Sequence, residues 1–306
     1  MIMVDKTLTS EEKKQQKEQK QHEEEQKIDQ ELDKIKEEEE QEDIRDVVKP
    51  KEGEQILKDQ IRTALGEYRR HSKALFISAF SAGLEVGFSL LLMGTLYTMF
   101  GGQMSESGIE LAMAFAYPIG FIFVIIGRSE LFTEHTTLAV LPVLNRTVSV
   151  GALAKLWAIV FVGNLLGGYL FSFILVKIGP AMGTISVEAF YHIAERLLRF
   201  NWWVTLGSGV LAGWLMGLLS WLVTSSKDSI SRILVIILVT SVIGLGGLHH
   251  SIVGSLEVFA GLITSEEIGI GDYIHFQTAA TLGNILGGTV FVAVIKYGQL
   301  GRREVE

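Results

Sequence analysis

Long apolar runs dominate the chain from about residue 72 onward, and short polar segments separate them. The run 156–176 contains no charged side chain over 21 residues, and the runs 205–226 and 276–295 have the same character. A helix of about 20 apolar residues is long enough to cross the hydrocarbon core of a bilayer, which is about 30 Å thick. The pattern therefore predicts an all-α protein that spans a membrane several times.

We predict six transmembrane helices, of which the second and the fifth are broken. The predicted spans cover residues 73–99, 111–144, 153–176, 203–224, 233–259 and 273–295. A polar interruption at 128–135 divides the second span, and Gly244, Gly246 and Gly247 divide the fifth. A broken helix leaves backbone N–H and C=O groups unpaired, which is tolerated only where protein or a cavity satisfies them. Both breaks are therefore candidate sites.

The fifth span also carries His249 and His250 directly after its glycines. Imidazole groups are rare in hydrocarbon and usually face a bundle interior or a pore. A histidine that is merely hydrogen-bonded between packed helices is the structural alternative. We interpret His250 as a site residue and leave both roles open for His249.

An internal repeat relates the two halves of the predicted membrane domain. The motif GNLLGG at 163–168 in the third span recurs as GNILGG at 283–288 in the sixth. Three spans per half is an odd number, so the halves must have opposite orientations. Inverted repeats with paired broken helices are typical of transport proteins, with the site near the membrane midplane. Asn164 and Asn284 are predicted to cap or bridge the broken helices, and the adjacent glycines to allow close helix contact.

The charge of the chain is concentrated before the first span. Residues 1–57 hold 11 Lys/Arg and 19 Asp/Glu, and the remainder holds 16 of each, so no basic surface predicts nucleic-acid binding. Residues 1–53 are predicted to form a charged tail, disordered or a solvated helix, because they contain too few apolar residues to offset the entropy of ordering. Residues 54–71 predict an amphipathic helix at the membrane surface, 72–298 the membrane domain, and 299–306 a second tail.

Lysine and arginine mark the loops on one side of the membrane. Three basic residues lie within 69–73, whereas the loops 101–110 and 264–272 carry none. Because basic loops stay in the cytoplasm, we predict a multi-pass protein of the cytoplasmic membrane with both termini cytoplasmic. Three basic residues, Lys177, Arg196 and Arg199, lie on the opposite side and argue against this orientation. Arg196 and Arg199 could draw anions into an outer vestibule or be ordinary surface charge.

Several motifs, taken together, resemble the formate/nitrite transporter family, and most closely its YfdC-like branch. They are ELFT at 130–133, the two GN(L/I)LGG motifs, NWWV at 201–204 and HSI at 250–252. The resemblance covers residues 65–298. It implies an aquaporin-like protomer assembled as a homopentamer, in which each protomer has its own pore for small monovalent anions.

The resemblance also assigns pore residues. His250 is similar to the family's central pore histidine, Thr133 to the loop threonine beside it, and Asn201 to a pore-facing asparagine, although Asn201 could instead simply cap the fourth span. Two hydrophobic constrictions are implied on either side of His250. The inner one would be formed by Leu131, Phe132 and Phe121, and the outer one by Tyr117 and Ile243.

Three positions depart from the family pattern and leave the identity of the anion open. His249 stands where an acidic residue is usual, Arg128 replaces a small residue of the second-span loop, and no lysine lies between residues 180 and 195. Arg128 could contact substrate. Alternatively it could form an intramembrane ion-pair set with Glu130 and Glu85 that holds the broken helix, since buried charges normally pair.

We predict passive or proton-coupled transport of small monovalent anions. Moving an anion through an apolar constriction is costly, and half-helix N-termini together with a proton shared from or through His250 could lower that cost. A neutral-solute channel is one alternative, and a non-conducting membrane protein that recruits partners through its N-terminal tail is another. The sequence contains no nucleophile–base pair, cofactor motif, phosphate loop or metal-ligand pattern, so neither an enzyme nor a cofactor nor a metal is expected.

Overall fold

The computed structural model describes residues 10–40 and 50–300, and every regular element in these ranges is a helix. In chain order the elements are α1 (Ser10–Glu40), α2 (Gly53–Arg69), α3 (Ser72–Phe100), α4 (Glu106–Ala116), α5 (Pro118–Gly127), α6 (Phe132–Leu138), α7 (Leu141–Leu144), α8 (Val150–Ala181), α9 (Val187–Leu198), α10 (Trp202–Ser225), α11 (Ser229–Leu245), α12 (Val253–Leu262), α13 (Ile270–Leu286), a π-helical stretch (Gly287–Val294) and α14 (Ile295–Leu300).

Five helices in the described ranges are long and apolar enough to cross a membrane. They are α3, the helix Glu106–Gly127 formed by α4 and α5, α8, α10, and the helix Ile270–Gln299. The apolar helices α11 and α12 are shorter, with 17 and 10 residues, and Gly247 adopts a φ of 59° between them. The described chain is therefore an all-helical membrane protein whose fifth apolar segment breaks at its glycines.

In the predicted second span, the helix resumes after its break earlier than the sequence predicts. We expected the helix to resume at residue 136 because residues 133–135 are polar, yet α6 begins at Phe132. Two of these polar side chains have partners inside the protein. Thr133 Oγ1 lies 2.8 Å from His250 Nε2, and His135 Nε2 lies 2.6 Å from a Glu130 carboxylate oxygen. Satisfied polar groups can enter a buried helix, which is why polarity alone misplaced this boundary.

The repeat glycines lie where helix backbones touch. Helix α3 packs along α8, and α10 packs along α13 and the π-helical stretch. A Cβ atom at Gly167 would overlap the carbonyl oxygen of Phe80, and one at Gly287 would overlap that of Val210. The two GN(L/I)LGG motifs thus bring two helix pairs into backbone contact, as expected for small residues at membrane helix interfaces.

The N-terminal helices pack on the body of the protein. Ile28, Leu32 and Ile35 of α1 are buried, and Asp29 pairs with Arg69 at 2.7 Å. Composition left open a disordered segment or a solvated helix. Segment α1 is a helix, and one stripe of it is docked rather than solvated, because these sparse apolar residues recur at helical spacing. Of the predicted tail, residues 1–53, the structure describes 10–40 and 50–53.

Helix α2, the predicted amphipathic helix, packs its apolar face against the body of the protein. Its apolar side chains Ile56, Leu57, Ile61 and Leu65 are buried, and the helix contacts α6, α7, α10 and α14. The amphipathic pattern is therefore explained by packing against the protein. Helix α2 covers the end of the bundle at which α6, α7 and α14 lie.

We expect Gly167→Ala to lower the free energy of unfolding by about 1–3 kcal/mol, because the added methyl group must force α8 away from Phe80. Gly66→Ala in α2 is the matched control, since a Cβ there meets no atom within 4 Å and alanine favours helix. Thermal unfolding of the detergent-solubilised protein measures both. Equal melting temperatures for the two variants would contradict the proposed close contact.

Candidate functional site

Asn164 of the first repeat motif holds the break before α6. Its Oδ1 accepts a hydrogen bond from the Phe132 N–H at 2.8 Å. Its Nδ2 donates to the carbonyl oxygens of Ala79 at 2.7 Å and Glu130 at 2.8 Å. One buried amide therefore satisfies both a donor and an acceptor of the broken backbone and ties them to α3.

Asn284 of the second motif makes the same set of bonds at the break before α12. Its Oδ1 accepts a hydrogen bond from the Ser251 N–H at 2.8 Å. Its Nδ2 donates to the backbone carbonyl oxygens of Gly209 at 2.8 Å and His249 at 2.9 Å. Both asparagines are fully buried. The two breaks are therefore held by the same chemistry, which agrees with the bridging role predicted for these asparagines.

The side chains of His250 and Thr133 join the two breaks. His250 Nε2 lies 2.8 Å from Thr133 Oγ1, and both side chains are buried. His250 Nδ1 accepts hydrogen bonds from the backbone N–H groups of Val253 at 3.2 Å and Ile252 at 3.4 Å. Because backbone N–H groups can only donate, Nδ1 carries no proton and Nε2 carries one. His250 is a neutral imidazole that donates to Thr133.

The predicted constriction residues are all buried, but they face different neighbours. The Phe121 ring lies edge-on to the His250 ring, with the centroids 5.3 Å apart, and Tyr117 packs on Phe121 at 5.3 Å. The Phe132 ring packs instead on α8, against Phe161 at 4.9 Å. Leu131 and Ile243 are 0% exposed. The structure therefore places Phe121 directly at His250 and Phe132 beside α8.

A small cavity, called here the Tyr117 cavity, lies on one side of His250. Its volume is about 10 Å³, and its lining includes Tyr117, Ile243, His250, Arg196 and Glu257. The sequence analysis passed over Glu257 and left Arg196 either as a charge that draws anions into an outer vestibule or as ordinary surface charge. The structure buries both residues, which are only 1% and 8% exposed. The signal that could have found Glu257 is its position as the single charged residue in the apolar helix α12.

A larger cavity, called here the α2 chamber, has a volume of about 690 Å³. It shares no lining residue with the Tyr117 cavity. Its lining residues include Arg62, Glu67, Arg70, Arg128, Glu130, Glu134 and His135. Helix α5 runs past both cavities. Tyr117 at its start lines one, Val124 near its end lines the other, and Phe121 stands between these two residues in the helix.

Charged side chains at the first break pair differently from the predicted set of Arg128, Glu130 and Glu85. The Glu130 carboxylate contacts the Arg70 guanidinium at 2.5 Å and the His135 ring nitrogen Nε2 at 2.6 Å. Glu85 instead accepts hydrogen bonds from two serine hydroxyls. Arg128 adopts a left-handed φ of 58° and is exposed to the α2 chamber. The ion-pair interpretation of these three residues is therefore wrong, because the partner of Glu130 comes from the end of α2.

Helix α2 carries a second acid beside this ion pair. Glu67 lies 2.7 Å from Arg70, which is shared with Glu130. Burial raises the pKa of Glu67, and the neighbouring Glu130 carboxylate raises it further. Two acids and one arginine thus connect α2 to the first break.

His249 and Asn201 have structural partners. His249 Nε2 donates to the Leu197 carbonyl at 3.0 Å, and Nδ1 accepts from the Ser208 hydroxyl at 2.8 Å, so both ring nitrogens are used within the protein. Asn201 is exposed and caps α10, accepting from the N–H groups of Trp203 and Val204, both at 3.1 Å. The capping alternative raised for Asn201 describes this geometry. Among the described residues, no group of three or more potential ligands could hold a metal ion.

The model of the formate/nitrite transporter family matches residues 54–298, which is most of the chain. The chain belongs to the formate/nitrite transporter family. The resemblance seen in the sequence is therefore confirmed, and the chain falls among channels and transporters rather than enzymes.

Individual relatives agree with this assignment. The chain is 33% identical over 237 residues to inner membrane protein YfdC of Escherichia coli, covering 76% of this chain and 74% of that protein. It is 24% identical over 243 residues to formate channel FocA of Haemophilus influenzae, covering 72% and 84%.

Solved structures show the same fold. An FNT family ion channel superposes with a TM-score of 0.72 at 24% identity, covering 80% of this chain and 98% of that one. A pentameric formate channel with formate bound has a TM-score of 0.64 at 22% identity, covering 74% and 97%.

The same asparagine-to-aspartate substitution is expected to affect thermal stability differently at Asn284 and at Asn201. Asn284→Asp should lower the melting temperature clearly, because it replaces the amide donor with oxygen facing two carbonyls, at a cost of about 1–3 kcal/mol or more. Asn201→Asp is the control and should be neutral or slightly stabilising, because only its acceptor oxygen is used. Thermal unfolding in detergent compares them, and equal destabilisation would refute the assignment.

Proposed function

We propose that this protein transports small monovalent anions, of the formate or nitrite type, across the cytoplasmic membrane. The proposed architecture has six spans in an inverted three-plus-three repeat, with both termini cytoplasmic and the protomers assembled as a pentamer. The matching hydrogen bonds of Asn164 and Asn284 support the repeat. The pentameric formate channel of similar fold supports the assembly.

The hydrogen bond between His250 and Thr133 is the observation that carries the proposal. This bond joins the two breaks at a buried point. It lies beside Phe121 of α5, the helix that runs past both cavities. The imidazole receives two N–H groups from the start of α12, so the positive end of that helix polarises the ring. Polarisation strengthens Nε2–H as a donor, and an anion that displaces Thr133 would accept that hydrogen bond.

Passage requires help because an anion in an apolar constriction loses its hydration. We propose electrostatic capture at the positively polarised break, followed by passage as a neutral weak acid. Leu131, Phe121, Tyr117 and Ile243 would form the constrictions that exclude the hydrated ion. Transport is then passive or coupled to proton movement.

We expect proteoliposomes containing the purified protein to take up formate or nitrite at a rate that rises with external acidity. His250→Phe should abolish this uptake, because the ring keeps its size but loses both nitrogen contacts. Formate, nitrite, acetate, lactate and chloride are compared by isotope or anion-sensitive dye. Uptake that ignores pH and membrane potential would favour a neutral-solute channel, and full uptake by the variant would exclude His250 from the mechanism.

Deleting residues 1–50 should leave anion uptake largely intact, since the deletion removes α1 but ends before α2 begins at Gly53. The same proteoliposome assay measures this. A wild-type protein that conducts no anion, combined with a cellular phenotype that depends on residues 1–50, would favour the recruitment alternative.

A further inference from the structure

Glu257 is a buried carboxyl group that neither break uses. Its side chain is 1% exposed, and its Oε1 has no hydrogen-bond partner. It lines the Tyr117 cavity together with His250. A buried acid without a full set of partners lowers stability, so its presence calls for a ligand or a functional role.

Arg196 faces the same cavity from α9. It is 8% exposed, and its Nε also has no hydrogen-bond partner. The space shared with Glu257 measures about 10 Å³, which holds about one water molecule. An anion that passes through so narrow a cavity must come within reach of both side chains.

His250 is poorly placed to carry a second proton. Its Nδ1 accepts N–H groups from Val253 and Ile252, and a proton on Nδ1 would point at these donors. Protonation would therefore break the hydrogen bonds that hold the start of α12. The ring can donate a hydrogen bond through Nε2, but a transferable proton must come from another group.

We infer that Glu257 exchanges a proton with the transported weak-acid anion while Arg196 holds that anion in the Tyr117 cavity. The inference rests on the proposed transport function. The Oε–H bond of Glu257 breaks as an O–H bond forms on the anion, which leaves as the neutral acid. The Glu257 carboxylate, beside the Arg196 guanidinium, then takes a proton from hydronium on that side of the membrane.

The other titratable groups around α12 do not replace this role. Tyr169 from α8 and Tyr273 from α13 bond to each other, and Tyr273 also bonds to Ser255 of α12. On α3, Glu85 accepts hydrogen bonds from two serines at Oε1, and although its Oε2 has no partner, the residue does not line the Tyr117 cavity. Tyr97 stacks on the α9 residue His192. Tyr117 and Arg196 are the other ionisable groups that line the cavity with His250 and Glu257.

The test measures anion uptake and internal acidification together in proteoliposomes. The wild-type protein should show uptake that rises with acidity and is matched by proton entry. Glu257→Gln should lose both the acid-dependent rise and the matched proton entry. Glu257→Asp should retain part of each, and Glu188→Gln, at an exposed acid of α9, should behave as wild type. A Glu257→Gln protein with wild-type proton-coupled uptake would overturn the inference.

A second measurement, made on the wild-type protein, tests the inference if the Glu257→Gln variant does not fold. Wild-type protein is treated with a hydrophobic carbodiimide, which modifies buried protonated carboxyl groups, and the modified peptide is found by mass spectrometry. Modification at Glu257 that blocks proton-coupled uptake, and is slowed by formate, supports the inference. Absence of modification there, or modification without loss of uptake, overturns it. Absence of any anion uptake by the wild type would instead refute the proposed function itself.

Discussion

Backbone groups exposed by a broken helix inside a membrane must find partners, and in this chain two asparagine side chains supply them. Each unsatisfied N–H or C=O in hydrocarbon costs several kcal/mol. Only a side chain amide of this length offers one acceptor and two donors together. Asn164 and Asn284 use all three at each break. Without these bonds the breaks would lose their backbone partners, and the His250–Thr133 contact would lose its support.

The sequence predicted this part of the structure well because its signals are local. Glycine and asparagine in a repeated six-residue motif mark both the close helix contacts and the anchors of the breaks. Apolar length also located the helices closely, since the first predicted span, 73–99, is observed as Ser72–Phe100. Both signals depend on residues that are neighbours in the chain.

Pairings between distant residues could not be read in this way. Glu130 pairs with Arg70, 60 positions earlier, although Arg128 is two residues away. Arg128 adopts a left-handed φ and is exposed in the chamber that Glu130 and Arg70 also line, yet the ion pair forms with Arg70. The docking of α1 was missed for a related reason: its three buried apolar residues are sparse, and the surface of α2 that covers them belongs to another segment.

The charged groups proposed to serve the anion depart in position more than in kind from the pattern that the family resemblance implies. His249, at the position where the resemblance implies an acid, supplies no carboxylate, and both its ring nitrogens are engaged by Leu197 and Ser208. Glu257, on α12, supplies a carboxyl group to the Tyr117 cavity. Arg196 supplies a positive charge to the same cavity and follows directly after segment 180–195, which contains no lysine. Because electrostatic interactions depend on distance and burial rather than on chain position, a buried acid and base that face one cavity can serve an anion from these new positions.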